Sequence, residues 1–192
     1  MTLSDDEICS KARETFKWSS SVKEKIDARL SRVKCTFDLG IHIRTGDKIT
    51  SGEMDSIPLE KYLEEIKSMI PFGTVYVMTD SSSVVPRLQA LTELYTFYSL
   101  PPPIESANGH DQTEFNKRSV NDKMDSYYHF LTELHIMQHC PMIVCTYSSN
   151  IGRFLYMTRE PHVKIKSLDV PVFTILHDMS IFLSSTSNLS SF

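Results

Sequence analysis

The sequence predicts an α/β protein with a parallel sheet and helices on both of its faces. Three short apolar runs have the composition of buried strands, and each ends in a polar turn: residues 39–43, 74–78 and 142–145. Segments with helical periodicity separate these runs. Strands that alternate with helices are joined by right-handed crossovers, which makes neighbouring strands parallel. We expect residues 1–183 to form one domain and residues 184–192 to form a Ser-rich, frayed tail.

Composition limits the class of protein. The 192 residues are 41% hydrophobic and 23% charged, as in soluble globular domains. The net charge of −4 comes without a cluster of Lys and Arg, which argues against nucleic acid as a partner. No apolar stretch reaches the roughly 18 residues of a membrane span, and the acidic N-terminus lacks a signal peptide. We therefore expect a soluble chain that is cytoplasmic by default.

The remaining elements follow from periodicity and from breakers. Helices are predicted over residues 5–33 (in two parts), 58–70, 84–94, 122–139 and 151–158, and further strands over 95–99, 163–165 and 172–176. Residues 45–56 and 100–121 are predicted to be irregular, and connections as long as the second are usually functional or disordered. Four cysteines without C-x-x-C spacing predict no zinc site.

The first strand ends in a charged turn that contains Arg44, Asp47 and Lys48. Ligands of open α/β sheets bind at the carboxyl edge, where this turn is placed. A planar guanidinium and an ammonium beside a glycine suit a phosphate. The alternative is a surface ion pair between Arg44 and Asp47, which contributes little by itself.

A second polar turn follows the strand at 142–145. Ser148, Ser149 and Asn150 open a helix, where free N–H groups and the helix dipole favour an anion, although the two serines are equally suited to simple N-caps. Since parallel strands share one carboxyl edge, the strand exits at Arg44, Asp80 and Ser148 should gather there. Their convergence predicts a single binding site.

Two carboxylates and a histidine complete the set of candidates. Glu53 lies in a glycine-containing loop after the cationic turn and is either a general base or a solvated loop charge. Glu133 lies on a largely apolar helix, so it either reaches a ligand or is paired, because burial of an unpaired carboxylate is costly. A carboxylate accepts two parallel N–H bonds, which the Watson–Crick edge of guanine offers. His42 alternates with two isoleucines and either faces the ligand or is a satisfied core residue.

Together these segments resemble the α1,6-fucosyltransferases of glycosyltransferase family 23, which include the N-glycan core enzyme and the nodulation-factor enzyme. The similar segments, in the family's order, are His42-Ile-Arg-Thr-Gly-Asp-Lys48, Val75-Tyr-Val-Met-Thr-Asp80, Phe130-Leu-Thr-Glu-Leu-His-Ile136, Met142-Ile-Val-Cys-Thr-Tyr-Ser-Ser-Asn-Ile-Gly-Arg153 and Ser167-Leu-Asp169. The resemblance covers roughly residues 35–170.

The resemblance implies a Rossmann-like domain similar to the C-terminal half of a GT-B glycosyltransferase. Such a domain binds GDP-fucose and transfers fucose with inversion to a glycan acceptor, at the 6-hydroxyl of N-acetylglucosamine, without a metal or another cofactor. The resemblance assigns Arg44 to the β-phosphate, and it assigns Glu133, together with His42, to guanine. It places Asp47, Lys48, Asp80, Ser148, Ser149 and Asn150 around the donor, and Glu53 at the position of the catalytic base, with Arg44 and Lys48 stabilising the leaving group.

The chain differs from the family at two points. Thr45 stands where the motif has a second arginine, and the chain begins where the family's C-terminal half begins, so we expect the N-terminal lobe to be absent. Two other functions are therefore kept open: a non-catalytic module that binds GDP or a GDP-sugar, and an enzyme that resembles the protein O-fucosyltransferases. If the chain is part of a Golgi enzyme, its compartment is the secretory pathway. The oligomeric state is not predicted.

Overall fold

The computed structural model describes residues 4–31, 33, 36–52 and 55–171, apart from the side chains of Lys48 and Thr50. These residues form eight helices and five strands. In chain order the elements are α1 (Asp5–Thr15), α2 (Ser20–Leu30), β1 (Leu39–Ile43), α3 (Asp47–Thr50), α4 (Leu59–Met69), β2 (Gly73–Thr79), α5 (Val84–Leu91), β3 (Tyr95–Tyr98), α6 (Gln112–Lys117), α7 (Val120–Gln138), β4 (Met142–Cys145), α8 (Asn150–Thr158) and β5 (Lys164–Ser167).

The five strands form one sheet in the order β3-β2-β1-β4-β5, and every neighbouring pair is parallel. The chain first winds outward from β1 to β3 and then returns to the other side of β1. This reversal between β1 and β4 makes the fold an α/β Rossmann-like fold. The predicted fold class is confirmed.

Helices cover both faces of the sheet because alternate residues of its strands are apolar on both sides. On one face, Ile41 and Val77 pack with α4 and α5, whose buried residues include Leu63, Ile66 and Leu88. On the other face, Tyr76 and Met78 pack with a larger cluster from α1, α2, α7 and α8. Strands that are apolar on both sides are typical of parallel sheets.

Side chains that precede the helices fix several helix starts. Ser4 and Glu7 form a capping box at α1, and Ser19, Ser119 and Ser149 accept backbone N–H groups at α2, α7 and α8. Such caps satisfy N–H groups that have no partner inside the helix. None of the described helices is long and apolar enough to cross a membrane.

Within the described residues, each predicted helix and strand is present with shifted borders, and two short helices were not predicted. The two stretches predicted to be irregular contain the short helices α3 and α6, and α5 ends at Leu91 instead of residue 94. Asp111 caps α6 by accepting the backbone N–H of Glu114 at 3.0 Å, so a capping signal was present in the sequence. The predicted strand at 172–176 and the tail at 184–192 lie outside the described residues, and the single-domain boundary stays a prediction.

Candidate functional site

The three strand exits meet at the carboxyl edge of the sheet, as the sequence predicted. Arg44 follows β1, Asp80 follows β2 and Ser148 follows β4, and these three strands are adjacent. The edge between β1 and β4 is the point where the winding reverses. Ligands of Rossmann-like folds bind in the crevice outside this point.

Arg44 lies at the centre of the edge and pairs with two carboxylates. Its Nη2 donates to Asp47 Oδ1 at 2.9 Å, and its Nη1 lies 3.1 Å from Asp80 Oδ2. The side chains of Arg44 and Asp80 are only 18% and 13% exposed. These three described charges sum to −1, so the guanidinium is already balanced by the protein itself.

Asp80 connects three segments of the chain. Its Oδ1 accepts the backbone N–H of Thr45 at 2.8 Å and the Thr45 hydroxyl at 2.7 Å, while Oδ2 accepts the backbone N–H of His110 at 3.1 Å. With the Arg44 pair, both oxygens are engaged by protein groups. Asp80 therefore supports the turns on either side of it, and its predicted contact with the donor stays a prediction. Thr45 binds this carboxylate with both its backbone N–H and its hydroxyl.

The long connection between β3 and α7 is held against the β1 exit by two glycines. Gly46 and Gly109 have φ of +67° and +90°, and a Cβ on Gly46 would lie 2.5 Å from the carbonyl oxygen of His110. Asp47 donates its backbone N–H to His110 at 2.9 Å and accepts that of Gln112 at 3.1 Å. The segment predicted to be irregular is thus attached to the β1 exit, and Asp47 contributes two of the hydrogen bonds.

A small cleft opens beside Arg44, with a volume of about 80 Å³. Its lining residues are His42, Arg44, Met78, Thr79, Asp80, Phe130, Glu133 and Ile151. Four of the predicted site residues therefore share one cleft. Phe130 and Ile151 also line a neighbouring apolar groove of about 330 Å³, so the two spaces adjoin along these side chains.

His42 is 2% exposed, and its Nδ1 has no hydrogen-bond partner among the described residues. Burial lowers the pKa of His42 from 6.5 to about 4, because a charged imidazole is poorly solvated there. The ring is therefore neutral near pH 7. A buried polar atom without a partner requires an explanation, and His42 itself lies in the lining of the cleft.

Glu133 lies on α7 and is 6% exposed. Tyr76 donates its hydroxyl to Oε1 at 3.3 Å, and His129 Nε2 lies 3.3 Å from Oε2. Burial raises the pKa of Glu133 above its ordinary value, although the hydrogen bond from His129 opposes the rise. Of the two alternatives drawn from the sequence, pairing is confirmed; Glu133 also lines the cleft, and its contact with a ligand stays a prediction.

The turn between β4 and α8 is attached to the following strand by Asp169. Tyr147 and Ser148 donate their backbone N–H groups to Asp169 at 2.8 and 3.1 Å. Burial alone would raise the pKa of Asp169, but hydrogen bonds, with those from Ser148 and Ser167 the largest, hold it below the ordinary value. The N–H of Ser148, predicted to bind an anion, is thus occupied within the chain. In the sequence Asp169 is part of the segment Ser167-Leu168-Asp169, and no local signal there indicates a contact with the turn after β4.

The first residues of α8 keep the geometry expected of an anion site. Ser149 is buried and caps the helix by accepting the N–H of Ile151 at 3.3 Å. Within the described part of the chain, the backbone N–H groups of Ser149 and Asn150 have no recorded partner. Gly152 lets α8 approach the strand, since a Cβ there would lie 2.0 Å from the carbonyl oxygen of Thr146.

Two predicted catalytic residues are not placed. The backbone of Lys48 lies in α3 next to Asp47, but its side chain is not among those described, and Glu53 lies outside the described residues. Within the described ranges, no three His, Cys, Asp or Glu side chains gather in a way that could hold a metal ion.

Solved structures share this fold at low sequence identity. The structure of POFUT1 in complex with GDP matches over 86% of this chain and 50% of that chain, with a TM-score of 0.55 and 13% identity. NodZ α-1,6-fucosyltransferase soaked with GDP-fucose matches over 74% of this chain and 43% of that chain, with a TM-score of 0.47 and 16% identity. Fucosyltransferase NodZ from Bradyrhizobium matches over 80% of this chain and 46% of that chain, with a TM-score of 0.47 and 14% identity.

The chain spans half the length of these proteins or less. No protein-family model and no curated protein matches the sequence. At such identities the likeness concerns the fold alone, which is the fold found in fucosyltransferases.

Proposed function

We propose that this domain binds GDP-fucose and forms the donor half of a fucosyltransferase. The observation that carries the proposal is the cleft at the reversal of the sheet, which brings His42, Arg44, Asp80 and Glu133 together. A guanidinium, an unsatisfied imidazole nitrogen and a buried carboxylate beside an apolar groove provide distinct contacts for the phosphate, the base and the sugar of one ligand.

The diphosphate would lie between Arg44 and the start of α8. Arg44 offers a planar fork of donors, and the N–H groups of Ser149 and Asn150 add the positive end of the helix dipole. The cleft alone is smaller than the roughly 300 Å³ of typical ligand pockets. A whole nucleotide must therefore also use the adjoining groove beyond Phe130.

Glu133 and His42 are assigned to the guanine base. A carboxylate accepts the paired N–H groups of the Watson–Crick edge, and a neutral His42 has one nitrogen that accepts or donates according to its tautomer. Because burial raises the pKa of Glu133, two N–H donors from a base would stabilise its ionised form. Binding of guanine is expected to be coupled to the charge on this residue.

In the proposed reaction, the acceptor hydroxyl attacks C1 of fucose from the face opposite the diphosphate. A bond forms between that oxygen and C1 while the bond from C1 to the phosphate oxygen breaks, so that GDP leaves and the configuration inverts. Glu53 takes the proton of the hydroxyl, and Arg44 and Lys48 stabilise the charge on GDP without a metal. We propose the 6-hydroxyl of N-acetylglucosamine as the acceptor.

A second candidate, a non-catalytic GDP-binding module, is favoured by the surroundings of Arg44. Two carboxylates already occupy its guanidinium, and Thr45 replaces a cation. Anion binding must therefore compete with existing ion pairs, which reduces its net gain. Release of fucose from GDP-fucose distinguishes the candidates, because the module would bind GDP without turnover.

The base assignment is tested by calorimetric titration with GDP, GDP-fucose, GDP-mannose and UDP. We expect the guanine nucleotides to bind more tightly than UDP, and Glu133→Ala to remove most of that preference. Equal affinity for GDP and UDP would refute the assignment.

Catalysis is tested with Glu53→Gln, which should abolish transfer to N-acetylglucosamine-bearing acceptors and leave the affinity for GDP nearly unchanged. Loss of both transfer and GDP affinity in this variant would contradict the role of Glu53 as the catalytic base.

A further inference from the structure

A second cavity lies at the opposite, amino-terminal edge of the sheet. It has a volume of about 290 Å³, and the lining residues that bear on its chemistry are Arg13, Phe16, Trp18, Gln138, His139 and Glu160. His139 follows α7 just before β4, and Glu160 lies between α8 and β5. None of its lining residues belongs to the cleft around Arg44, although Phe16 and Trp18 also line the apolar groove beyond Phe130.

The orientation of the Gln138 amide follows from its neighbour. Thr158 donates its hydroxyl to the carbonyl of Phe154 at 2.8 Å, so its oxygen must accept the contact from Gln138, which is 2.9 Å long. The amide nitrogen of Gln138 is thereby used. Its oxygen, Oε1, has no recorded partner among the described residues and is available as an acceptor.

The tautomer of His139 is fixed in the same way. Its Nδ1 lies 2.7 Å from the backbone carbonyl of His135, and a carbonyl only accepts, so Nδ1 carries the proton. In the neutral ring Nε2 is then an acceptor. Glu160 is exposed, and its carboxylate has no recorded partner in the described ranges.

Donors and an aromatic wall complete the cavity. Arg13 Nη1 donates to the backbone carbonyl of Arg159 at 2.7 Å. The other N–H groups of the guanidinium remain as donors for a ligand. Phe16 packs edge-on against Trp18, with ring centroids 4.8 Å apart, and so holds the indole in place. The charges of Arg13 and Glu160 offset each other.

These features select the class of ligand. A phosphate or nucleotide is not favoured, because α7 and α8 both end at this cavity and the carboxyl end of a helix repels an anion. An apolar partner would leave Gln138, His139 and Glu160 without hydrogen bonds. A pyranose ring offers hydroxyls that both donate and accept, together with apolar C–H faces that pack on an aromatic ring. We propose that this cavity binds one pyranose unit of a carbohydrate, at a site distinct from the cleft around Arg44.

Trp18 is the sole tryptophan in the sequence and lines both this cavity and the apolar groove, so its fluorescence reports binding at either place and the Glu160 variant assigns the change to the cavity. The probes are N-acetylglucosamine, fucose and mannose, and the β1,4-linked tetramer of N-acetylglucosamine. We expect at least one of them to change the emission saturably, and Glu160→Ala to weaken that binding at least ten-fold. Binding of the tetramer indicates a glycan chain as the source, and binding of monosaccharides alone indicates a free sugar. Either result supports a pyranose site.

The control is Glu64→Ala, which removes an exposed carboxylate from α4 on the other face of the sheet. It should bind the sugar as the wild type does. Titration of Glu160→Ala with GDP should give the wild-type affinity, so failure of the sugar site is distinguishable from failure of the donor site. The proposal is overturned if no probe gives a saturable change, or if Glu160→Ala and wild type bind equally.

Discussion

Arg44 and Asp80 form an ion pair across two adjacent strand exits, with 3.1 Å between Nη1 and Oδ2. The pair joins the turn after β1 to the turn after β2, and the second oxygen of Asp80 binds Thr45. Asp80, whose contact with a ligand stays a prediction, is thus part of the framework that orients Arg44. This distinction gives separate expectations for the two side chains.

Replacing Asp80 should mainly destabilise the fold. Asp80→Asn removes the charge from a nearly buried carboxylate that pairs with Arg44 and accepts three further hydrogen bonds, so the free energy of unfolding should fall by about 2–4 kcal/mol. Urea unfolding monitored by circular dichroism measures this loss. The matched control, Glu93→Gln in an exposed turn, should change stability by less than about 0.5 kcal/mol. Equal effects of the two substitutions would refute the role given to Asp80.

The close packing of α8 on the β4 exit predicts a strong effect of Gly152→Ala. The new methyl group would lie 2.0 Å from the carbonyl oxygen of Thr146, so backbone must move, at a cost of about 3 kcal/mol. Gly52→Ala is the control, because Gly52 has φ +75° but a Cβ there would meet nothing within 4 Å, and backbone strain alone costs about 1–2 kcal/mol. If Gly152→Ala unfolds at the same urea concentration as Gly52→Ala, α8 does not approach as closely as described.

The lowered pKa of the buried His42 predicts that the stability of the fold depends on pH. Its pKa is about 4 in the folded chain and near 6.5 when unfolded, so between these values the unfolded state binds the extra proton. Stability should therefore fall as the pH drops from 6.5 to 4, with His42 contributing about 3 kcal/mol of that loss. His42→Asn should flatten the curve in this window. The imidazole signals of His42 in NMR spectra should titrate near pH 4, and a midpoint near 6.5 would contradict burial of the ring.

Local signals in the sequence were sufficient for most of the fold. The apolar run ending at Ile43 and the helical stripe beginning at Leu59 each define an element by periodicity alone, and parallel topology then places Arg44, Asp80 and Ser148 at one edge. That inference needs only the direction of each strand, not any contact between side chains.

The partners of the site residues were not predictable in the same way. His110 and Asp169 are 30 and 22 positions away from the residues that they bind, Asp80 and Tyr147, and no periodicity relates them. Their positions depend on how the connections after β3 and β5 fold back over the edge. A glycine in the sequence can indicate that two backbone segments pack closely, but Gly109 alone does not indicate that its neighbour is the turn at Gly46.

The central claim is that Arg44 anchors a guanosine diphosphate at this edge, and calorimetric titration with GDP tests it most directly. We expect wild type to bind, Arg87→Ala on the exposed side of α5 to bind equally, and Arg44→Ala to bind about 10–100-fold more weakly, as expected when a charge-assisted contact worth about 1.5–3 kcal/mol is lost. Thermal unfolding establishes that each variant is folded. Wild-type affinity for GDP in a folded Arg44→Ala variant would contradict the claim.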